Sequence, residues 1–139
     1  MSTKTGAAGE FIVCSSILKL NGDWKVVHTP QDRIDVIAFD YTTFLRISVK
    51  TSSIQRRSGT HRRGYHFQNC SGSKKKTMPN PREIDIVAHC FLDDRKVAYY
   101  ATEEISRTTQ RRPLGFADSP SIEQDTWDKA VQIVRARVR

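Results

Sequence analysis

The sequence predicts an α/β fold, a single domain whose mixed β-sheet is flanked by helices. Three observations carry that expectation. Apolar runs at residues 33–39 and 44–51 enclose a four-residue turn, a third run covers 83–92, and helical periodicity marks both ends of the chain. At 139 residues there is enough chain for one proper core.

Taken in order, residues 5–20 read as a helix. Thr5 can cap it, Ala7 and Ala8 favour it, and Asn21 with Gly22 stops it. Phe11, Cys14, Ile17 and Leu18 form its apolar stripe. Glu10 precedes Val13 and Cys14 by three and four residues, which sets it at the margin of the packed side. The alternative is a surface glutamate suiting the positive helix start. Residues 24–28 predict a first strand and 29–32 a turn into a hairpin. In that hairpin, strands 33–39 and 44–51 flank a turn opened by Asp40. A tight turn pairs Phe39 with Phe44, and therefore Asp35 with Ser48. Side chains repeat every second residue along a strand, so Ser48 and Lys50 share one face.

The polar stretch 52–82 is broken by Gly59, Gly64, Gly72, Pro79 and Pro81. Within it, residues 65–68 suggest a short strand whose Tyr65 and Phe67 can stack on bases or pack in the core. Residues 83–92 read as a buried strand, 93–96 as a hairpin turn and 97–100 as the returning strand. Residues 106–118 look irregular and basic. A C-terminal helix is expected at about 120–137, with Ser119 and Pro120 at its start and Glu123 and Asp125 near its positive end. Trp127, Ala130, Val131, Val134 and Val138 supply its stripe, and Arg135, Arg137 and Arg139 are placed to touch phosphates.

Charge is distributed unevenly. The formal net charge is +8, yet from Tyr41 to Arg82 there is no acidic residue. Ten basic residues fall there: Arg46, Lys50, Arg56, Arg57, Arg62, Arg63, Lys74, Lys75, Lys76 and Arg82. The rest of the chain holds the other 13 basic residues and all 15 acids, a net of −2. A concentrated basic segment is the footprint of a polyanion partner, because each neutralised phosphate releases counterions. No apolar run approaches the ~18 residues of a membrane span, and the start of the chain lacks a hydrophobic leader. With three widely spaced cysteines, Cys14, Cys70 and Cys90, the expectation is a cytoplasmic chain with reduced thiols. His61, His66, Cys70 and His89 do not complete a zinc-ligand spacing.

Asp35 in one strand, followed by Ser48, Val49 and Lys50 in the next, resembles the core of the PD-(D/E)XK nuclease superfamily. Gly9 and Glu10 on the preceding helix resemble the helix-borne glutamate of Holliday-junction resolvases, and the hairpin is most similar to group I intron homing endonucleases of phage and cyanobacteria. The resemblance implies a restriction-endonuclease-like core and a Mg²⁺ ion, with Mn²⁺ as substitute, held by Asp35, Glu10 and the Val49 carbonyl. It also implies that Lys50 orients the attacking water or stabilises the phosphate. Ser48 stands where the superfamily usually carries an acid; it can bind a metal-bound water but adds no charge.

The function expected is metal-dependent DNA cleavage with catalytic residues Asp35, Lys50, Glu10 and Ser48, and without a small-molecule substrate or membrane partner. Arg56, Arg57, Arg62, Arg63, Lys74, Lys75 and Lys76 would track the phosphate backbone. Cutting both strands takes two sites, so a homodimer or homotetramer is expected. Two other readings compete. One is a non-catalytic nucleic-acid-binding module that kept the nuclease fold; the other is a basic structural or ribosome-associated protein, in which Asp35 and Glu10 would lie apart.

Overall fold

The sheet grows from the expected hairpin. Asp40 Oδ1 accepts the Thr42 and Thr43 amides at 2.9 and 2.8 Å, closing the turn between β2 (Ile34–Phe39) and β3 (Phe44–Ser52). Phe39 then pairs with Phe44, as the turn length requires. The computed structural model describes residues 3–31, 33–55, 62–72 and 75–137. Arg56, Arg57 and Lys74, three of the expected phosphate contacts, lie outside those residues, as do His61, Val138 and Arg139.

β1 (Lys25–Gln31) pairs antiparallel with β2, and its register shifts between His28 and Gln31. The strand therefore runs through most of the segment expected as a turn at 29–32. β5 (Ile86–Phe91) lies parallel to β3, and β6 (Lys96–Ala101) returns antiparallel, giving the order β1-β2-β3-β5-β6. A parallel neighbour requires a crossover. Here the crossover is the polar stretch, and it carries β4 (Gly64–Gln68). β4 pairs with β7 (Thr109–Pro113) as a separate two-stranded sheet. β7 corrects the irregular reading of 106–118. Its sequence is Thr-Gln-Arg-Arg-Pro, without apolar alternation. Arg112 substitutes for an apolar residue by laying its guanidinium over the Phe116 ring at 4.4 Å.

The helices are α1 (Thr3–Lys19) and α2 (Ile122–Arg135). Thr5 thus sits inside the first turn of α1 rather than capping it. Gly22, with φ 109°, takes the left-handed conformation that lets the chain turn after the helix. Ser121 is the N-cap of α2, so Pro120 precedes the helix instead of opening it.

Strand alternation sorts the core into two layers. Val36, Ala38, Leu45, Ile47, Ile86, Ala88, Cys90, Val97 and Tyr99 face Val13 and Ile17 of α1 and Trp127, Ala130 and Val131 of α2. Both helices therefore cover the same face. The opposite face is covered by β4 and β7, where Tyr65 and Phe67 pack with Phe91, Ala98, Ala117 and Ile122. Tyr65 and Phe67 are 2 % and 0 % exposed, so they belong to the core and not to a base-stacking surface. His89 is buried in the same layer, stacked on Phe67 at 4.2 Å and bonded through Nε2 to Asn69 Oδ1 at 2.6 Å. Burial lowers its pKa to about 3 and keeps the ring neutral.

The C-terminal arginines serve the fold. Arg137 holds Asp85 at 2.6 Å and Glu103 at 2.6 Å, and Arg135 holds Asp40 at 3.1 Å. Asp85 also accepts the Arg46 amide at 2.8 Å and its Nε at 3.0 Å. Burial alone would raise the Asp85 carboxyl; the two arginines outweigh it and lower the pKa. Among the described residues, no helix is long and apolar enough to cross a membrane.

Candidate active site

The β2–β3 register runs from Phe39–Phe44 to Val36–Ile47. Asp35 is the next residue, and its carboxylate turns onto β3: Oδ2 accepts the Val49 amide at 2.8 Å. An acid one step beyond the paired register is thereby fixed against the backbone of the Ser48–Val49–Lys50 triplet. Ser48 is 2 % exposed and pairs across the parallel step with Val87, while Lys50 pairs with His89.

Lys50 is positioned from the other side of the sheet. Its ammonium donates to Ser71 Oγ at 2.6 Å and to the Cys70 carbonyl at 3.3 Å, both on the crossover that follows β4. Burial depresses the Lys50 pKa, and the Asp35 charge opposes that shift. The Asp35 charge thus acts on the Lys50 ammonium without a direct ion pair among the described contacts.

Glu10 arrives through α1. A Cβ on Gly9 would meet Thr51 Oγ1 at 1.9 Å, so only glycine allows the helix to lie this close to β3. The following residue, Glu10, is thereby brought near the hairpin, where its Oε1 meets His28 Nε2 at 2.6 Å. Phe11 packs on the same imidazole, ring centres 4.7 Å apart.

The electrostatics tie these groups together. The Asp35 pKa is raised to about 6, chiefly by burial. The Val49 hydrogen bond lowers it, the Glu10 charge raises it, and Lys50 and His28 lower it. Asp35 thus feels the charges of Glu10, Lys50 and His28, while the direct contacts are Asp35 with the Val49 amide, Glu10 with His28 and Lys50 with Ser71.

Among the described residues no group of three or more His, Cys, Asp or Glu side chains is gathered as a metal site. The donors that the family resemblance names are the Asp35 and Glu10 carboxylates and the Val49 carbonyl. That set suits Mg²⁺, which takes one or two carboxylates and completes its shell with waters and phosphate oxygens. It does not suit structural zinc, which takes four nitrogen or sulfur ligands.

Two residues that hold these groups, His28 on Glu10 and Ser71 on Lys50, went unseen in the sequence. His28 read only as the end of a strand, and Ser71 only as part of a loop. Neither has a local signal, because each acts through a partner at least 18 residues away. Asp85, the other acid considered near the hairpin, is instead committed to Arg46 and Arg137.

A cleft of about 430 Å³ opens beside these groups, lined by Val49, Lys50, Ser52, Gln55, His66 and Gln68 among others. A second groove, of about 940 Å³, is lined by Ser71, Arg33, Arg46, Arg82 and Glu83 among others. Arg62, Arg63, Lys75 and Lys76 are exposed.

No protein-family model matches the chain, and no curated protein matches its sequence. Among solved structures, a bacterial homing endonuclease, I-Ssp6803I, is similar with a TM-score of 0.70 at 15 % sequence identity, over 99 % of this chain and 98 % of its own. At that identity the likeness is one of fold. The mixed sheet with helices packed on it is the shared architecture.

Proposed function

We propose that this chain is a metal-dependent DNA endonuclease of the PD-(D/E)XK type, related in activity to homing endonucleases or junction resolvases. The observation that carries the reading is the Asp35 carboxylate fixed on the Val49 amide, with Lys50 beside it and Glu10 reaching in from α1. The fold likeness to a homing endonuclease supports it.

In this reading Asp35, Glu10 and the Val49 carbonyl would hold Mg²⁺, with Mn²⁺ as its substitute. Such an ion lowers the pKa of water and neutralises charge on the scissile phosphate. Burial is the main cause of the raised Asp35 pKa, and a bound cation would lower it. His28 fixes the Glu10 carboxylate. Lys50, anchored by Ser71, presents its ammonium where the extra negative charge of the pentavalent phosphate develops, or orients the attacking water. Ser48 supplies a hydroxyl for a water and no charge. The groove of Arg33, Arg46 and Arg82 and the cleft beside Lys50 would give the phosphate backbone its path. Each copy carries one such site, so double-strand cleavage takes two copies.

One residue favours a second reading. Ser48 occupies the position where an acid would complete the ligand set, which fits a module that binds nucleic acid without cutting it.

The test is incubation with supercoiled plasmid and long DNA in Mg²⁺, Mn²⁺ or EDTA, beside Lys50→Ala. Metal-dependent nicking or discrete fragments that vanish in the variant are expected. Intact DNA in every lane with salt-sensitive retardation establishes the binding module; cutting by Lys50→Ala overturns the site.

A further inference from the structure

We propose that the outer face of the β4–β7 ribbon reads base edges in the major groove of duplex DNA, with Gln68 and Arg111 as specificity-determining residues. The inference rests on the nuclease reading for its substrate class, and it concerns residues that reading does not use.

The ribbon has two unlike faces. Tyr65 and Phe67 point inward to the core, and Arg112 follows them by stacking on Phe116. The cross-strand pairs His66–Arg111 and Gln68–Thr109 point the other way. Gln68 and Arg111 are exposed, as is Arg107 just before β7. A groove of about 480 Å³ runs over this face, lined by His66, Gln68, Arg107, Thr109, Gln110 and Arg111. His66 and Gln68 also line the Lys50 cleft, so the outer face continues directly into the candidate active site.

The face is charged for a polyanion, and its arginines are uncommitted. From residue 105 to 117 the chain has three arginines and no acid. Among the described residues neither Arg107 nor Arg111 has a carboxylate partner, in contrast to Arg46, Arg135 and Arg137. Thr109 donates to Gln68 Oε1 at 3.0 Å, which restrains the exposed amide.

The ribbon is also held rigidly. A Cβ on Gly64 would meet the Arg112 carbonyl at 2.5 Å, so the strands approach closely at that end. At the other end Asn69 bonds the main chain of Thr108 at 2.8 Å and of Arg107 at 2.9 Å.

Dimensions fit one groove. Two strands about 5 Å apart enter a major groove about 12 Å wide, and same-face residues about 7 Å apart match two base-pair steps. Arginine suits guanine and glutamine suits adenine, each through paired hydrogen bonds. The deep, narrow major groove of A-form RNA excludes such a ribbon.

The experiment is selection of bound duplexes from a library with a randomised core of about 20 base pairs, in EDTA. Wild type, Gln68→Ala, Arg111→Ala and a Lys25→Ala control are compared, with thermal melts to verify folding. The wild type should enrich a motif; Arg111→Ala should lose about tenfold or more discrimination at one position, and Gln68→Ala at another about two base pairs away. Three outcomes overturn the proposal: no enriched motif for wild type, equal weakening of the variants on every sequence, or double-stranded RNA competing as well as DNA. The nuclease reading stands or falls separately, on cleavage by wild type and its loss in Lys50→Ala.

Discussion

Asp35 holds two opposed demands in one side chain. Its amide partner, Val49, would be served equally by an asparagine oxygen, whereas its charge is costly where it sits. The folded carboxyl keeps its proton up to about pH 6, while an unfolded aspartate releases it near the ordinary 3.8. Folded-state stability is therefore lost as pH rises through that interval, because the unfolded chain ionises first. Asp35→Asn removes this cost above pH 6. Discounted for partial solvent access, the gain is about 1 kcal/mol, or about 4 °C in Tm, at pH 8 without divalent metal. It should vanish at pH 4, and Mg²⁺ should raise the Tm of wild type but not of the variant. Melts at the two pH values check it; a variant less stable at pH 8 contradicts the assigned environment. Cleavage by the variant should be abolished, with DNA binding within about tenfold. At this scale the sequence was legible where the determinants are local. Turn length fixed the β2–β3 register from Phe39–Phe44 to Val36–Ile47, and the Asp35 carboxylate, one residue further on, meets the Val49 amide instead of pairing with Ser48. His28 and Ser71 were illegible, since nothing near either residue announces the partner it meets across the fold.

Elements were legible in proportion to their apolar pattern. β5 is buried along its whole length and reads as an apolar strand interrupted only by His89. β7 escaped because an arginine stem and a cation–π contact fill its inward positions. Both helix starts were misplaced by two residues, as caps signal a neighbourhood more sharply than a residue. α1 also carries a constraint that periodicity does not show. Its approach to β3 depends on Gly9, whose missing Cβ leaves room for Thr51 Oγ1. Gly9→Ala places a methyl group 1.9 Å from that oxygen and 2.9 Å from the Thr51 Cβ. The helix must shift, at a cost of about 1–3 kcal/mol, and Glu10 shifts with it. Denaturant titration should show the loss, and Thr51→Ala in the Gly9→Ala background should recover part of it. The double variant should also regain cleavage, since the oxygen it removes is the main obstruction. A Gly9→Ala protein with unchanged stability and activity would show that α1 tolerates displacement and that Glu10 needs no such placement.

For the whole molecule, charge is separated along the chain. The acids at Asp40, Asp85 and Glu103 are spent on Arg46, Arg135 and Arg137, all structural pairs. The exposed cations of the crossover face no such partners in sequence, because residues 41–82 contain no acid. Arg62 and Arg63 immediately precede β4, whose Gly64 bridges to Gln55 on the cleft wall. A duplex lying across the cleft would therefore bring phosphates to this pair. Each neutralised phosphate contributes about 0.9 to the slope of log Kobs against log salt. Replacing both arginines by alanine should reduce that slope by about 1 for every phosphate no longer neutralised, and weaken binding evenly across sequences. Lys25, at the start of the edge strand β1 and the far end of the β1–β2 pair from Asp35, should leave the slope unchanged when replaced by alanine. Binding titrations from 50 to 200 mM salt, about the range over which such interactions are resolved, separate the two variants. Equal slopes for both would mean that attraction comes from net charge and not from a path along the cleft. The site chemistry could then survive, but the duplex would have to approach Lys50 from the Arg33–Arg82 groove instead.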